Sequence, residues 1–142
     1  MENKIAKCLG ALTVVGSGIL YSHSSQIDTI NEECDELRAK YQYVATDPSA
    51  EVREVVSELG VDITEYETGW GFILGDFEIE DGKSRCGGVA AEACRRLSER
   101  GFDTQICFEI TKWGFHYFAQ VSKDERYWRI EGGPKVTGRE IE

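Results

Sequence analysis

The chain has 142 residues, 41% hydrophobic and 30% charged, with a formal net charge of −10. That length suits one domain around a single core, and the composition is that of a folded protein rather than a disordered one. Phosphate backbones repel so acidic a surface, which argues against nucleic acid as a partner.

Lys4 and Lys7 precede a run from Cys8 to Gln26 that holds no Asp, Glu, Lys or Arg. A positive start, a short apolar middle (ALTVVGSGIL) and small residues fit a signal peptide over residues 1–25, with Ser22 and Ser24 at the cleavage positions. The same run fits a short membrane anchor, or a buried helix or hairpin turning at Gly16-Ser17-Gly18. Export or membrane association through the N-terminus stands level with a cytoplasmic location.

Residues 26–46 carry a stripe of Ile27, Ile30, Cys34, Leu37, Tyr41 and Val44 at alternating three- and four-residue spacing. This predicts an amphipathic helix packed on the domain. A spacer or dimerising helix is the alternative, so the oligomeric state stays open. The main domain is expected over 47–142. Asp47 caps a second helix, Pro48 takes its first position and Gly60 ends it. Val52, Val55, Val56 and Leu59 form its inner stripe, and Glu51, Arg53, Glu54 and Glu58 its solvated face. The acidic stretch that follows holds Tyr66, Trp70, Phe72 and Phe77. It reads as irregular chain with a short strand near 77–79, and Trp70 is a candidate wall of a cleft.

Asp81-Gly82-Lys83-Ser84 is a turn. A helix from Cys86 to Arg100 follows, ended by Gly101, with Val89, Ala93 and Leu97 inward. Cys86 falls at its N-terminus, where unpaired amides and the helix dipole favour a thiolate. Lys83 and Arg85 push the same way. Gly87-Gly88 would leave the backbone open beside the sulfur for a substrate, and the Cys86 amide is a candidate oxyanion donor. The other cysteines are Cys8, Cys34, Cys94 and Cys107. None forms a CxxC pair, and they are expected to be mostly reduced, with Cys94 and Cys107 in the core.

From Asp103 the period changes to alternation. DTQICFEI, FHYFAQV and RYWRIE are three strands separated by short turns, closed by Gly132-Gly133-Pro134, which implies an antiparallel meander. A hairpin symmetric about Lys123-Asp124 sets Val121 opposite Arg126, Ala119 opposite Trp128 and His116 opposite Glu131. Opposed residues share a face, so His116 and Glu131 are expected to touch. The reading is then a nucleophilic cysteine site: Cys86 as nucleophile, His116 as base, Glu131 as the acid that orients the imidazole. One usable histidine and scattered cysteines make no metal cluster, and no cofactor is called for. The fold class is α+β, with N-terminal helices and then a cysteine-bearing helix packed on a β-meander.

These pieces resemble a family. RCGGVAAEACRRLSERGFDT, then FHYFAQV, then YWRIEG are similar to the cysteine helix, histidine strand and acid strand of the transglutaminase-like superfamily. The resemblance implies its papain-like α+β core and the same triad, Cys86, His116 and Glu131. The family usually has Asp at the third position, so Glu131 is a departure. The phrase RLSERGFDT is also similar to arylamine N-acetyltransferases, whose usual signature around the cysteine is not matched. The resemblance implies acyl transfer or amide hydrolysis through a thioester, on a protein or peptide amide. The alternative is an inactive binding or structural domain on the same fold.

Overall fold

In a computed structural model, the described residues are 18–40, 47–67, 77–111 and 114–141, with backbone only for 18–24, 114 and 115. Most of the expected leader, Tyr41, Val44, Trp70 and Phe72 lie outside them. Among the described residues, three helices and an antiparallel four-stranded sheet make an α+β architecture. Among the described residues, no helix is long and apolar enough to cross a membrane.

Helix α1 (Gly18–Lys40) passes through Ser22 and Ser24 without a break. Its Ile27, Ile30 and Cys34 are buried in the common core, while Glu32, Glu33, Asp35 and Glu36 face solvent. Arg38 and Lys40 in the last turn suit the negative end of the helix dipole. Helix α2 (Pro48–Asp62) starts as its grammar dictates, with the Asp47 carboxylate accepting from the Ala50 amide at 3.3 Å. Val52, Val55 and Leu59 are buried. Gly60 does not end it. Its φ is not positive, so the helix runs on until Ile63, whose N–H bonds Leu59 O at 2.9 Å.

Strand β1 (Glu65–Tyr66) pairs in parallel with β2 (Lys83–Ser84), setting Tyr66 against Ser84. Between them, Phe77–Ile79 is irregular rather than a strand. Asp81 and Gly82 take φ of 52° and 77°, and Glu80 and Lys83 exchange backbone bonds of 3.0 and 2.8 Å across them. This tight turn delivers the chain into helix α3 (Cys86–Ser98).

Helix α3 is the centre of the core. Val89, Ala90, Ala91, Ala93, Cys94 and Leu97 have no exposed surface, and full burial of Val89 and Leu97 contributes about 1.5–3 kcal/mol each. The helix stops at Ser98, two residues earlier than expected. Gly101 at φ 84° lets the Phe102 N–H fold back onto Leu97 O at 3.0 Å. Its basic flank meets α2: Arg100 pairs with Glu51, Glu54 and Glu58, and Arg96 with Asp62 and Glu58. The α2 acids are therefore not a free solvated face, and the Glu51 side chain is 13% exposed.

The sheet runs β3 (Asp103–Thr111), β4 (Gly114–Lys123), β5 (Arg126–Glu131), β6 (Thr137–Ile141), in that spatial order. One face packs on α3 through Ile106, Phe108, Tyr117, Ala119, Val121, Trp128 and Ile130. The other carries Phe118 and Cys107 as a separate apolar cluster. Cys107 is buried, as expected, and disulfide-bonded, whereas Cys34, Cys86 and Cys94 are free thiols. On the β3 edge, Asn31 of α1 accepts from the Ile106 amide at 3.0 Å, which covers an otherwise unpaired edge donor.

Two further features differ from the sequence expectation. A fourth strand exists, because β6 needs no apolar alternation: it is an exposed, charged edge strand whose Gly138 admits Val52 and Val56 of α2. The β4–β5 register also moves by two residues. The loop is Asp124-Glu125, with φ of 52° and 64°, the paired left-handed geometry of a two-residue hairpin turn. It sets Lys123 opposite Arg126, Val121 opposite Trp128 and Ala119 opposite Ile130.

Two glycines in helices make opposite predictions. A Cβ at Gly88 would lie 2.6 Å from Glu78 O and 2.3 Å from the Ser84 hydroxyl, whereas Gly60 meets nothing within 4 Å. Gly88→Ala is expected to cost about 1–3 kcal/mol through overpacking. Gly60→Ala is expected to gain about 0.5–1 kcal/mol. Urea unfolding of the two variants reads both signs.

Candidate active site

The site forms where two strands part. The β4–β5 ladder ends at Ala119 and Ile130. In a two-residue hairpin, alternate residues of a strand turn their amides to the partner, and after Lys123, Val121 and Ala119 the next in line is Tyr117. Its partner would be Gly132, and that pair does not form. The Tyr117 amide hydrogen-bonds the Cys86 sulfur instead.

Helix geometry puts the sulfur there. Cys86 is the first residue of α3, and the preceding Arg85 gives no side-chain cap. The open donors of the first turn are then free to serve the sulfur, and the Gly87 amide does so. Burial pushes the thiol up, but hydrogen bonds from His116, Tyr117 and Gly87 and the charge of His116 outweigh it, holding Cys86 below an ordinary thiol. His116 moves the opposite way. Its hydrogen bond to Cys86 raises it above an ordinary imidazole; burial opposes this, and the charges of Cys86 and Glu131 add to the rise. The two shifts run in opposite directions, and each group is the main polar partner behind the other's.

His116 alternates with Tyr117 and so sits on the sheet face opposite α3, with Phe118 and Gln120, and it hydrogen-bonds the Cys86 sulfur. Its Nε2 lies 3.6 Å from Glu131 Oε1. Glu131 is thus brought to His116, but not as a directly opposed neighbour. The observed register makes it a diagonal neighbour, and the two-residue shift preserves the face because side chains alternate with period two. Directly opposite His116 lies Glu109 of β3.

Three further residues join the site. The Tyr66 hydroxyl hydrogen-bonds the Cys86 sulfur, and burial together with that neighbouring charge raises the phenol above its ordinary value. Arg129 bonds both Glu131 and Glu109, reaching Glu109 Oε1 at 2.6 Å, and so holds the Glu109 carboxyl below the usual range. Strand alternation puts Arg129 beside Glu131 and could have flagged it. Tyr66 carries no such signal, since a two-residue parallel pairing leaves no pattern.

Gly87-Gly88 does not open the backbone to a substrate. Both glycines are buried, and Gly88 faces Glu78 and Ser84 of this chain. Cys34 and Cys94 are buried free thiols, pushed above the ordinary value by desolvation. Among the described residues, no group of His, Cys, Asp and Glu could hold a metal ion. Comparison with family models, with curated proteins and with solved structures finds nothing that matches this chain.

The cysteines should therefore differ in reactivity. Iodoacetamide at neutral pH is expected to alkylate Cys86 at least about tenfold faster than Cys34 or Cys94, because the thiolate is the nucleophile. His116→Gln should reduce that preference, since both the hydrogen bond and the charge of His116 oppose burial at Cys86. Peptide mapping of timed reactions measures both.

Proposed function

We propose that this chain is a thiol-dependent acyl-transfer or amide-hydrolysing enzyme on a papain-like, transglutaminase-like core, with Cys86 as nucleophile, His116 as base and Glu131 as orienting acid. The observation that carries the reading is the hydrogen-bonded Cys86–His116 pair at the helix N-terminus, with Glu131 Oε1 at 3.6 Å from His116 Nε2.

The chemistry follows from the geometry. The Cys86 thiolate attacks the amide carbonyl carbon, forming a C–S bond while the carbonyl electrons move to oxygen. The Cys86 amide, in the first turn of the helix, would donate to that oxyanion. Imidazolium His116 gives its proton to the leaving nitrogen, the C–N bond breaks, and a thioester remains. Water or an amine then attacks the thioester, His116 takes its proton, and the C–S bond breaks to regenerate the thiolate. Glu131 fixes the ring by facing Nε2 throughout. The substrate class is a protein or peptide amide.

One observation favours a second reading. Cys86 is only 8% exposed and Tyr66 bonds its sulfur, as in a closed domain that keeps the fold for binding or structure. An activated acyl donor separates the two. With p-nitrophenyl acetate, the enzyme reading expects a burst of p-nitrophenol and one acetyl group on Cys86 by peptide mapping. Cys86→Ala should abolish the burst, and His116→Ala should slow it by about 10²–10⁴-fold. Hydrolysis at the same rate in Cys86→Ala would leave the binding reading.

A further inference from the structure

The geometry points to Arg129 as the positioning residue that holds Glu131 against His116, tying β5 to β3 across the histidine strand. This rests on the acyl-transfer reading for its consequence in catalysis, but not for its test.

A glutamate diagonal to His116 is a poor orienting acid by itself. Its long side chain has several rotamers to lose, at up to about 1.5–2 kcal/mol, and the extra methylene relative to Asp lets the carboxylate point elsewhere. Arg129 supplies the missing constraint. Its Nε donates to Glu131 Oε2, which leaves Oε1 as the oxygen facing His116 Nε2 at 3.6 Å. The other end of the guanidinium is held twice by Glu109, at 2.6 and 3.4 Å. The guanidinium carbon also lies 3.8 Å from the centroid of the Phe118 ring. The side chain is 15% exposed, so solvent competes weakly for these bonds. A planar fork can face two carboxylates and stack on a ring at once, and a lysine ammonium cannot.

The arrangement spans three strands. Glu109 is on β3, His116 and Phe118 on β4, Arg129 and Glu131 on β5, and all five point to the sheet face away from α3. The charged groups around His116 are Cys86 from α3, Glu109, Arg129 and Glu131. Arg139 of β6 lies opposite Arg129 in the ladder and adds positive charge near Glu109. Without Arg129, Glu109 and Glu131 would repel each other across the histidine, and Glu131 would lose its fixed orientation.

A double-mutant cycle reads this directly. The titration midpoint of His116 is followed through its imidazole resonance in the full chain, where His23 is the only other histidine. In the native background E131Q is expected to lower the midpoint, because a facing negative charge is lost. In R129K, which keeps the charge and loses the fork, E131Q is expected to change the midpoint little. E109Q, which frees only the far end of Arg129, should give an intermediate effect of E131Q and serves if R129K does not fold. An E131Q effect of equal size in all three backgrounds overturns the proposal and leaves Arg129 a structural tie. The acylation burst is measured alongside. Loss of Arg129 should slow it by about tenfold, with no further loss on adding E131Q. If wild type shows no burst, the acyl-transfer reading fails, while the His116 midpoints still decide the role of Arg129.

Discussion

Everything at this site depends on a hydrogen bond made across the end of a β-ladder. The Cys86 sulfur occupies the place on the Tyr117 amide that a continuing β5 would have taken. Had the β4–β5 ladder run two residues further, Gly132 would fill that place and the sulfur would lose a donor. The short turn at Asp124-Glu125 sets which residues of β4 and β5 pair. The close approach of Gly132 to Tyr66 and Val89, where a Cβ would lie 2.8 and 2.7 Å away, carries the chain off beside the cysteine helix. The opening is made by backbone geometry, and the side chains use it.

The electrostatics follow from that position. A buried thiol should be harder to ionise, and Cys34 and Cys94 show this. Cys86 goes the other way because His116 and the Tyr117 and Gly87 amides converge on it in a partly dry place, where each interaction is stronger than in water. The next ring of charge is balanced as well. His116 faces Glu131, Glu131 meets Arg129, and Arg129 meets Glu109. The site is held by pairs rather than by one strong field, although the chain as a whole is acidic.

Much of the fold could be read in the sequence where local rules suffice. The Asp47-Pro48 start of α2, the strand pattern of RYWRIE and the left-handed Gly101 after α3 all follow from capping, alternation and backbone freedom. What failed was set by tertiary contact. Gly60 reads as a helix stop, yet nothing at that point forces the chain out of helical geometry. Gly87-Gly88 reads as an opening for a substrate, yet Glu78 fills the space. Strand β6 is charged and exposed, so it has no apolar period to betray it. At the site, period-two alternation carried the shared face of His116 and Glu131 through a wrong register. The same rule could not place Cys86, because helix-on-sheet packing has no local signature. Tyr66 was beyond reach because a two-residue parallel pairing leaves no pattern.

The central claim is a thiolate–imidazolium pair at Cys86 and His116. Ultraviolet titration of the folded chain, with Cys86→Ala subtracted, measures it most directly. One thiolate is expected to persist well below the ordinary cysteine value of about 8.5, and His116→Gln should push its formation above that value. A Cys86 thiolate that forms only at or above the ordinary value in the native chain, unmoved by loss of His116, would contradict the account.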